Sequence, residues 1–185
     1  MVIQEIDLLL IKKIYPIGIH GIEHSFRVFL LIKKLCDLES ITKLERLQLE
    51  FCALFHDIGR VNDLIDDTHG VKSIEKLEEH SFLGFKRFNN SLVRYIIENH
   101  CLADKIAIDN SSNYELDDVE RSRFLLLLFK DADGLDRFRL GDFDQKYLRY
   151  SNSKTLIDFA RYNNDRSFLR DEIYENIYSW GRNKI

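Results

Sequence analysis

His56 and Asp57 stand side by side at the end of an apolar run, and an imidazole next to a carboxylate is a pair that binds divalent metals in proteins. Small residues precede the pair by one helical turn, at Cys52 and Ala53, and leave room for an ion. Adjacent helical residues diverge by roughly 100°, so both side chains can hold one metal while the second carboxylate oxygen reaches another. A charged helix end that caps the next turn explains the pair equally well.

Two further histidines lie on the inward faces of predicted helices. His24 shares a helical face with Val28 and Leu31, at spacings of four and seven residues. His100 lies on the same side as Ile96 and Ile97 at the end of a later helix. A core histidine that bonds a backbone carbonyl is the alternative interpretation of His24 taken alone. Both rings are candidates for a buried polar site.

Three aspartates within six residues follow the apolar run "FLLLLF", at Asp131, Asp133 and Asp136. Carboxylates at the end of a buried helix are unfavourable unless a positive charge compensates them. A metal ion would do so. Nearby basic residues that offer the same compensation are Lys130, Arg137 and Arg139. A solvated helix end with mixed charges is the alternative for any one of the three aspartates.

The elements that must position these side chains are predicted to be helices, and the fold class is all-α. The chain has one proline, Pro16, and eight glycines, which leaves few places to break helices. The predicted helices are an amphipathic one over residues 1–16, one over 22–38, one after a capping box at Thr42–Glu45, one over 70–80, one from Ser91, one from a capping box at Asp117–Glu120 to Gly134, and amphipathic helices beyond residue 142.

Length and charge limit the function further. A chain of 185 residues is most simply one domain, 1–185, large enough to close a core without disulfides. A net charge of -4 provides no field for a nucleic-acid backbone or an anionic membrane, and no apolar run approaches the roughly twenty residues that cross a bilayer. The three cysteines have no CxxC spacing, and the N-terminus lacks a signal-peptide pattern. We therefore expect a cytoplasmic protein with a small substrate.

The ordered set His24, His56–Asp57, His69, His100 and Asp133 resembles the HD-domain superfamily of metal-dependent phosphohydrolases. More narrowly, the motifs "HGIEHSFRV", "ALFHDIGRVND" and "DADGLDR" are similar to those of small stand-alone bacterial HD proteins. The resemblance covers about residues 19–141 and implies an HD-domain-like helical bundle with a metal site between the central helices. Helices in 142–185 would pack on that core, cover the site or form a homodimer interface.

The resemblance also implies which residues bind metal. The H…HD…D pattern of the superfamily falls on His24, His56, Asp57 and Asp133. His69 and His100 match the second-metal histidines of its binuclear members, with Asp57 as the bridge. One or two divalent ions are expected, and nitrogen and oxygen ligands do not distinguish Mn, Ni, Co, Mg, Fe and Zn.

Activated water would attack the phosphorus of a small, nucleotide-like phosphomonoester or phosphodiester, because superfamily substrates are often nucleotides. Basic residues that follow a ligand by three or four positions are candidate phosphate contacts, namely Arg27, Arg60, Lys72 and Arg137. A solvent-facing cation is the alternative for each one.

Asp63 and Asp66 are expected to orient ligands or act as general acid, or to cap the next helix, and His20 is a candidate catalytic residue. Two motif positions depart from the family pattern. Gly134 replaces the arginine of the common "ADRLD", and Arg60 stands where some relatives have lysine. A di-iron oxygenase and a nucleotide-binding regulatory module are the rival functions.

Overall fold

The computed structural model describes residues 12–80 and 91–184, and no strand occurs in these two ranges. The all-α prediction is confirmed. The predicted N-terminal amphipathic helix lies mostly outside the described residues, and residues 12–14 within it are helical. No helix in the described part of the chain is long and apolar enough to span a membrane.

Helices of very different length make up the described chain. The α-helices are α1 Ile22–Leu38, α2 Lys43–Phe55, α3 His69–Glu79, α4 Ser91–Asn99, α5 Asp104–Asp109, α6 Val119–Leu135, α7 Ser151–Thr155, α8 Ile157–Asp165 and α9 Arg170–Lys184. Short 3₁₀ helices cover Asn110–Asn113, Asp136–Leu140 and Gln145–Tyr147. The predicted helices over 22–38, over 70–80 and from Ser91 are therefore confirmed to within a residue.

The helix ends show one confirmed capping prediction and two errors. The Thr42 hydroxyl accepts from Glu45 N, and the Glu45 carboxylate accepts from Thr42 N, which is the predicted capping box of α2. Helix α6 starts one residue later than predicted, with the Asp118 side chain accepting from the backbone nitrogen three residues on. Gly134 does not end that helix. A 3₁₀ helix follows α6 directly, and it ends at Gly141, whose backbone is in the left-handed conformation (φ 71°).

Helix α1 lies at the centre of the bundle, where it packs against α2 and α6 on one side and the C-terminal helices on the other. Its Leu31 and Ile32 and the α2 residue Phe51 are fully buried in one continuous apolar core. Burial of each such side chain contributes roughly 1.5–3 kcal/mol. Trp180 of α9 packs against this core and donates from Nε1 to the Glu50 carboxylate at 2.7 Å.

Two glycines let α3 approach its neighbours closely. A Cβ on Gly70 would lie 2.3 Å from the Ile97 carbonyl oxygen, and one on Gly59 would lie 2.3 Å from Ser73 N. Neither position has room for a side chain. The close contact places the first residue of α3, His69, beside the ends of α2 and α4.

Candidate metal centre

Six imidazole and carboxylate side chains meet where the ends of five helices converge. They are His24 of α1, His56 and Asp57 at the end of α2, His69 at the start of α3, His100 after α4 and Asp133 in the last turn of α6. All except Asp133, whose side chain is 31% exposed, are buried. The structure thus brings together every residue predicted to bind metal.

The first group of ligand atoms surrounds His24. Its Nε2 lies 3.1 Å from His56 Nε2, 3.3 Å from Asp133 Oδ1 and 3.5 Å from Asp57 Oδ2. Nitrogen and carboxylate oxygen atoms this close together, with no side chain between them, converge on a common point. This arrangement can hold one metal ion.

The second group surrounds the other oxygen of Asp57. Oδ1 lies 2.9 Å from His69 Nε2 and 3.3 Å from His100 Nε2, and these two nitrogens are 2.9 Å apart. Asp57 Oδ2 therefore faces His24 and Oδ1 faces His69 and His100, while His56 Nε2 lies 3.8 Å from Oδ1, between the two groups. The carboxylate lies where a bridging ligand would. The Cys101 sulfur also lies within reach of His69 and His100.

The outer nitrogen of each histidine fixes its tautomer. Every Nδ1 faces an oxygen that only accepts; the pairs are His24 with Asp136 Oδ2 (2.8 Å), His56 with the Ala53 carbonyl (3.1 Å), His69 with the Asp66 carbonyl and His100 with the Ile97 carbonyl (2.6 Å). Each Nδ1 must donate its hydrogen, so in the neutral ring each Nε2 presents a lone pair to the centre. Facing lone pairs repel unless a cation lies among them, and this donor set fits a divalent metal.

Electrostatics favour these charge states for His56 and the two carboxylates. His24 differs: burial and Arg139 lower its pKa, but the hydrogen bonds with Asp136 and Asp57 outweigh them and raise it. Burial lowers the pKa of His56 to about 3, so its ring is neutral at physiological pH. Burial alone would raise the pKa values of the two carboxylates, but the surrounding histidines outweigh it. They hold the pKa of Asp133 near 2 and that of Asp57 well below its usual range. Neutral imidazoles and ionised carboxylates are the forms that bind metal.

A cavity of about 340 Å³ opens onto both groups. Basic side chains form part of its wall, namely Arg60, Lys130, Arg137 and Arg139. The Arg60 guanidinium donates to Asp57 Oδ2 at 3.2 Å and to the Leu64 carbonyl at 3.1 Å, and is therefore held in place. Asp66 and Asp67 also line this wall, and its four basic side chains are candidate contacts for an anionic ligand beside the cation-binding floor.

A family model described as HD domain matches residues 21–137, well over half of the chain. The chain belongs to the HD-domain family. That matched segment contains His24, the His56–Asp57 pair, His69, His100 and Asp133. No curated protein and no solved structure matches this chain.

Asp136 lies behind the candidate ligands of this HD domain, and the sequence indicates it only as one of three neighbouring aspartates. Asp136 is 1% exposed, accepts from His24 Nδ1, and accepts from Arg27 Nε at 2.6 Å and Arg139 at 3.2 Å. These partners outweigh burial and lower the pKa of Asp136. The i+3 spacing from Asp133 is a weak signal for this role, because the partner histidine is 112 residues away.

His20, the proposed catalytic histidine, lines the cavity of the HD domain with its side chain 12% exposed. Its Nδ1 lies 3.0 Å from Asp57 Oδ2 and 3.1 Å from the Arg139 guanidinium. One ring nitrogen satisfies either the acceptor or the donor, not both at once. Burial is the largest cause of its lowered pKa. Arg139 was not predicted as a site residue, although it lines the cavity.

Several predicted contacts lie elsewhere among the described residues. Arg27 is buried against Asp136, behind the histidines, and does not line the cavity. Lys72 pairs with the Asp66 carboxylate at 2.8 Å on the outer surface. Asp63 accepts from Ile19 N at 3.5 Å in a neighbouring loop. Of the four predicted phosphate contacts, only Arg60 and Arg137 line the cavity of the HD domain.

Proposed function

We propose that this HD domain is a metal-dependent phosphohydrolase that cleaves a phosphomonoester or phosphodiester of a small, nucleotide-like molecule. The observation that carries the proposal is the division of the Asp57 carboxylate between two groups of unprotonated histidine nitrogens. That arrangement suits two neighbouring cations beside a cationic cavity.

The residues of the first group, His24, His56 and Asp133, would hold one divalent ion, and His69 and His100 a second. Asp57 would contribute one oxygen to each. When bound, such ions polarise phosphate oxygens and lower the pKa of water near them. The protein's part is to keep every Nε2 unprotonated and aimed inward, which the four Nδ1 hydrogen bonds do.

Phosphate binding is assigned to the basic wall. Lys130 is held by the Asp104 carboxylate at 2.7 Å and by the Leu102 carbonyl, and only 9% of its side chain is exposed. Arg60 is held by the Leu64 carbonyl and Arg139 by the Ile19 carbonyl. Cations that are already fixed lose little side-chain entropy when an anion binds, so their hydrogen bonds favour a phosphate in one orientation.

A hydrogen bond to the leaving group is assigned to His20, because a neutral imidazole donates a hydrogen bond but does not release its last proton; the proton that the leaving group takes up comes from solvent. When cations occupy the Asp57 oxygens, His20 Nδ1 is left to accept from Arg139 at 3.1 Å. The ring then carries its hydrogen on Nε2. Because His20 lines the cavity, that hydrogen is available to an ester oxygen of the substrate. Asp63 is not assigned the role of general acid, because its carboxylate bonds Ile19 N outside the cavity wall.

The test is phosphate release from a panel of phosphomonoesters and phosphodiesters, with the protein loaded separately with Mn, Co, Ni, Mg, Zn or Fe. Bound metal is measured by elemental analysis on the same samples. We expect hydrolysis with at least one metal and its loss in Asp57→Asn. The control, Asp158→Asn, changes an aspartate whose side chain is 95% exposed on α8, and should retain full activity.

Two results would reject the proposal. One is full metal-dependent hydrolysis by Asp57→Asn, because the bridging carboxylate would then be unnecessary. The other is a protein that contains iron, gives a mixed-valent EPR signal and releases no phosphate under any metal, which would support an oxygenase instead.

A further inference from the structure

A second cavity of about 590 Å³ adjoins the one that opens onto the metal centre. Asp133 and Arg137 line both. A molecule with its phosphate at the metal centre therefore has a neighbouring space for its remaining part. Volumes of 300–1,000 Å³ are typical of ligand pockets, and this one falls within that range.

Gly134 lines the second cavity, and nothing in the described structure requires a glycine there. It lies inside α6, and its φ is not in the left-handed region that favours glycine. A Cβ at this position would meet only Leu148 Cδ2, at 3.9 Å, which is an ordinary contact. Gly134 is the second-last residue of α6, and in this conformation glycine gives the helix no advantage over alanine.

An aromatic ring also lines the second cavity. Tyr147 lines it with 67% of the residue exposed, and Lys146 Nζ lies 4.9 Å from the ring centroid. The carboxylates of Asp142 and Asp144, which pair with Arg137 and Lys146, add hydrogen-bond acceptors. A flat ring beside acceptors and cations suits a planar group that both stacks and hydrogen-bonds.

We infer that the second cavity is a subsite for a planar heteroaromatic group of the substrate, with Gly134 providing its space and Tyr147 its stacking surface. The inference rests on the proposed function for the position of the phosphate, between Arg137 and the metal centre. Gly134 is on this view a specificity residue: any larger side chain would extend from α6 into the volume that the planar group needs. The site would thus prefer a phosphoester with a base-like group over one without it.

The experiment compares two probes that differ only in the planar group. Dissociation constants of adenosine 5′-monophosphate and of ribose 5-phosphate are measured by calorimetry on the metal-loaded protein, and Michaelis constants replace them where hydrolysis is fast. We expect the nucleotide to bind at least about tenfold more tightly, in keeping with the usual strength of base stacking on aromatic rings.

Two variants should remove this preference, measured as the ratio of the two dissociation constants. Gly134→Leu places a branched side chain in the cavity, and Tyr147→Ala removes the ring at an exposed position whose loss should not affect folding. Lys154→Leu, which places leucine at an exposed helical position outside both cavities, is the control. Gly134→Ala should raise the melting temperature, because alanine favours the helix and meets no obstacle.

The outcomes separate the subsite from the proposed function. A nucleotide preference that both variants abolish supports the subsite, even if neither probe is hydrolysed. Equal affinity of the wild type for the two probes overturns the subsite, even if both are hydrolysed. A preference that survives in both variants, or failure of the nucleotide to bind at all, also overturns it.

Discussion

The Nε2 atoms of His24 and His56 lie 3.1 Å apart, although each ring already uses its Nδ1 hydrogen elsewhere. In the neutral rings no hydrogen is left to join the two nitrogens. Two buried lone pairs in this position are stable only with a cation between or beside them, which is either a metal ion or a proton taken up by one ring. This relationship makes metal binding and the stability of the bundle interdependent.

Removal of metal is therefore expected to lower the melting temperature by several degrees, and one divalent ion should restore it. The measurement is differential scanning fluorimetry with a chelator, followed by titration of each metal. His56→Ala should lose both the bound metal and the response to chelator. His80→Ala, at an exposed histidine after α3, should retain both. An unchanged melting temperature in metal-free protein would contradict the expectation.

Asp136→Asn should weaken metal binding by about 10–100-fold, the usual effect of changing a hydrogen-bond partner of a ligand histidine. An asparagine amide can donate to His24 Nδ1, which would move the ring hydrogen to Nε2, where the lone pair is needed. Calorimetric metal titration measures the change. Asp118→Asn at the other end of α6 is the matched control, because asparagine caps a helix as well as aspartate does.

Asp131→Ala should lower the free energy of unfolding by about 2–3 kcal/mol, because it leaves backbone N–H groups without their acceptor, while Arg149 keeps its ion pair with Asp104. The Asp131 carboxylate is fully buried and accepts from Arg149 N, Tyr150 N and the Arg149 guanidinium. Urea denaturation measures the loss. Metal affinity should stay unchanged, because this carboxylate faces away from the histidines. A large fall in metal affinity at unchanged stability would show that this role is misassigned.

Glu45→Gln should destabilise the protein by about 1–2 kcal/mol at neutral pH, because it removes the ion pair with Arg121 and leaves the capping box intact. The Arg121 hydrogen bond is the main cause that lowers the pKa of Glu45 from its usual 4.5 to about 2. A lowered pKa means that the ion pair stabilises the fold above about pH 4.5 and loses this effect as the pH falls toward 2.

The difference in the free energy of unfolding between wild type and Glu45→Gln should thus become smaller as the pH is lowered. Urea denaturation at steps from pH 7 to pH 3 tests this. A difference that is constant across this range would mean that charge plays no part in the contact.

Several features of this protein are predictable from the sequence because they depend on neighbours along the chain. The apolar spacing of α1 and the capping box of α2 involve residues at most a few turns apart, and they predicted both helices correctly. The joint order of His24, the His56–Asp57 pair and Asp133 likewise predicted the residues that the structure brings together. Their role as metal ligands stays a prediction.

Only the tertiary structure decided what each acid and cation does. Asp131 pairs with Arg149, and Asp136 contacts His24 and Arg27. Asp133 faces the candidate metal ligands, although all three acids lie within six residues. Arg27 follows a ligand at helical spacing and is nevertheless buried behind it. Helical periodicity determines which face a side chain occupies, but the partner on that face can belong to a segment 112 residues away, as Asp136 does for His24. That contact depends on how the helices pack, which local spacing does not specify.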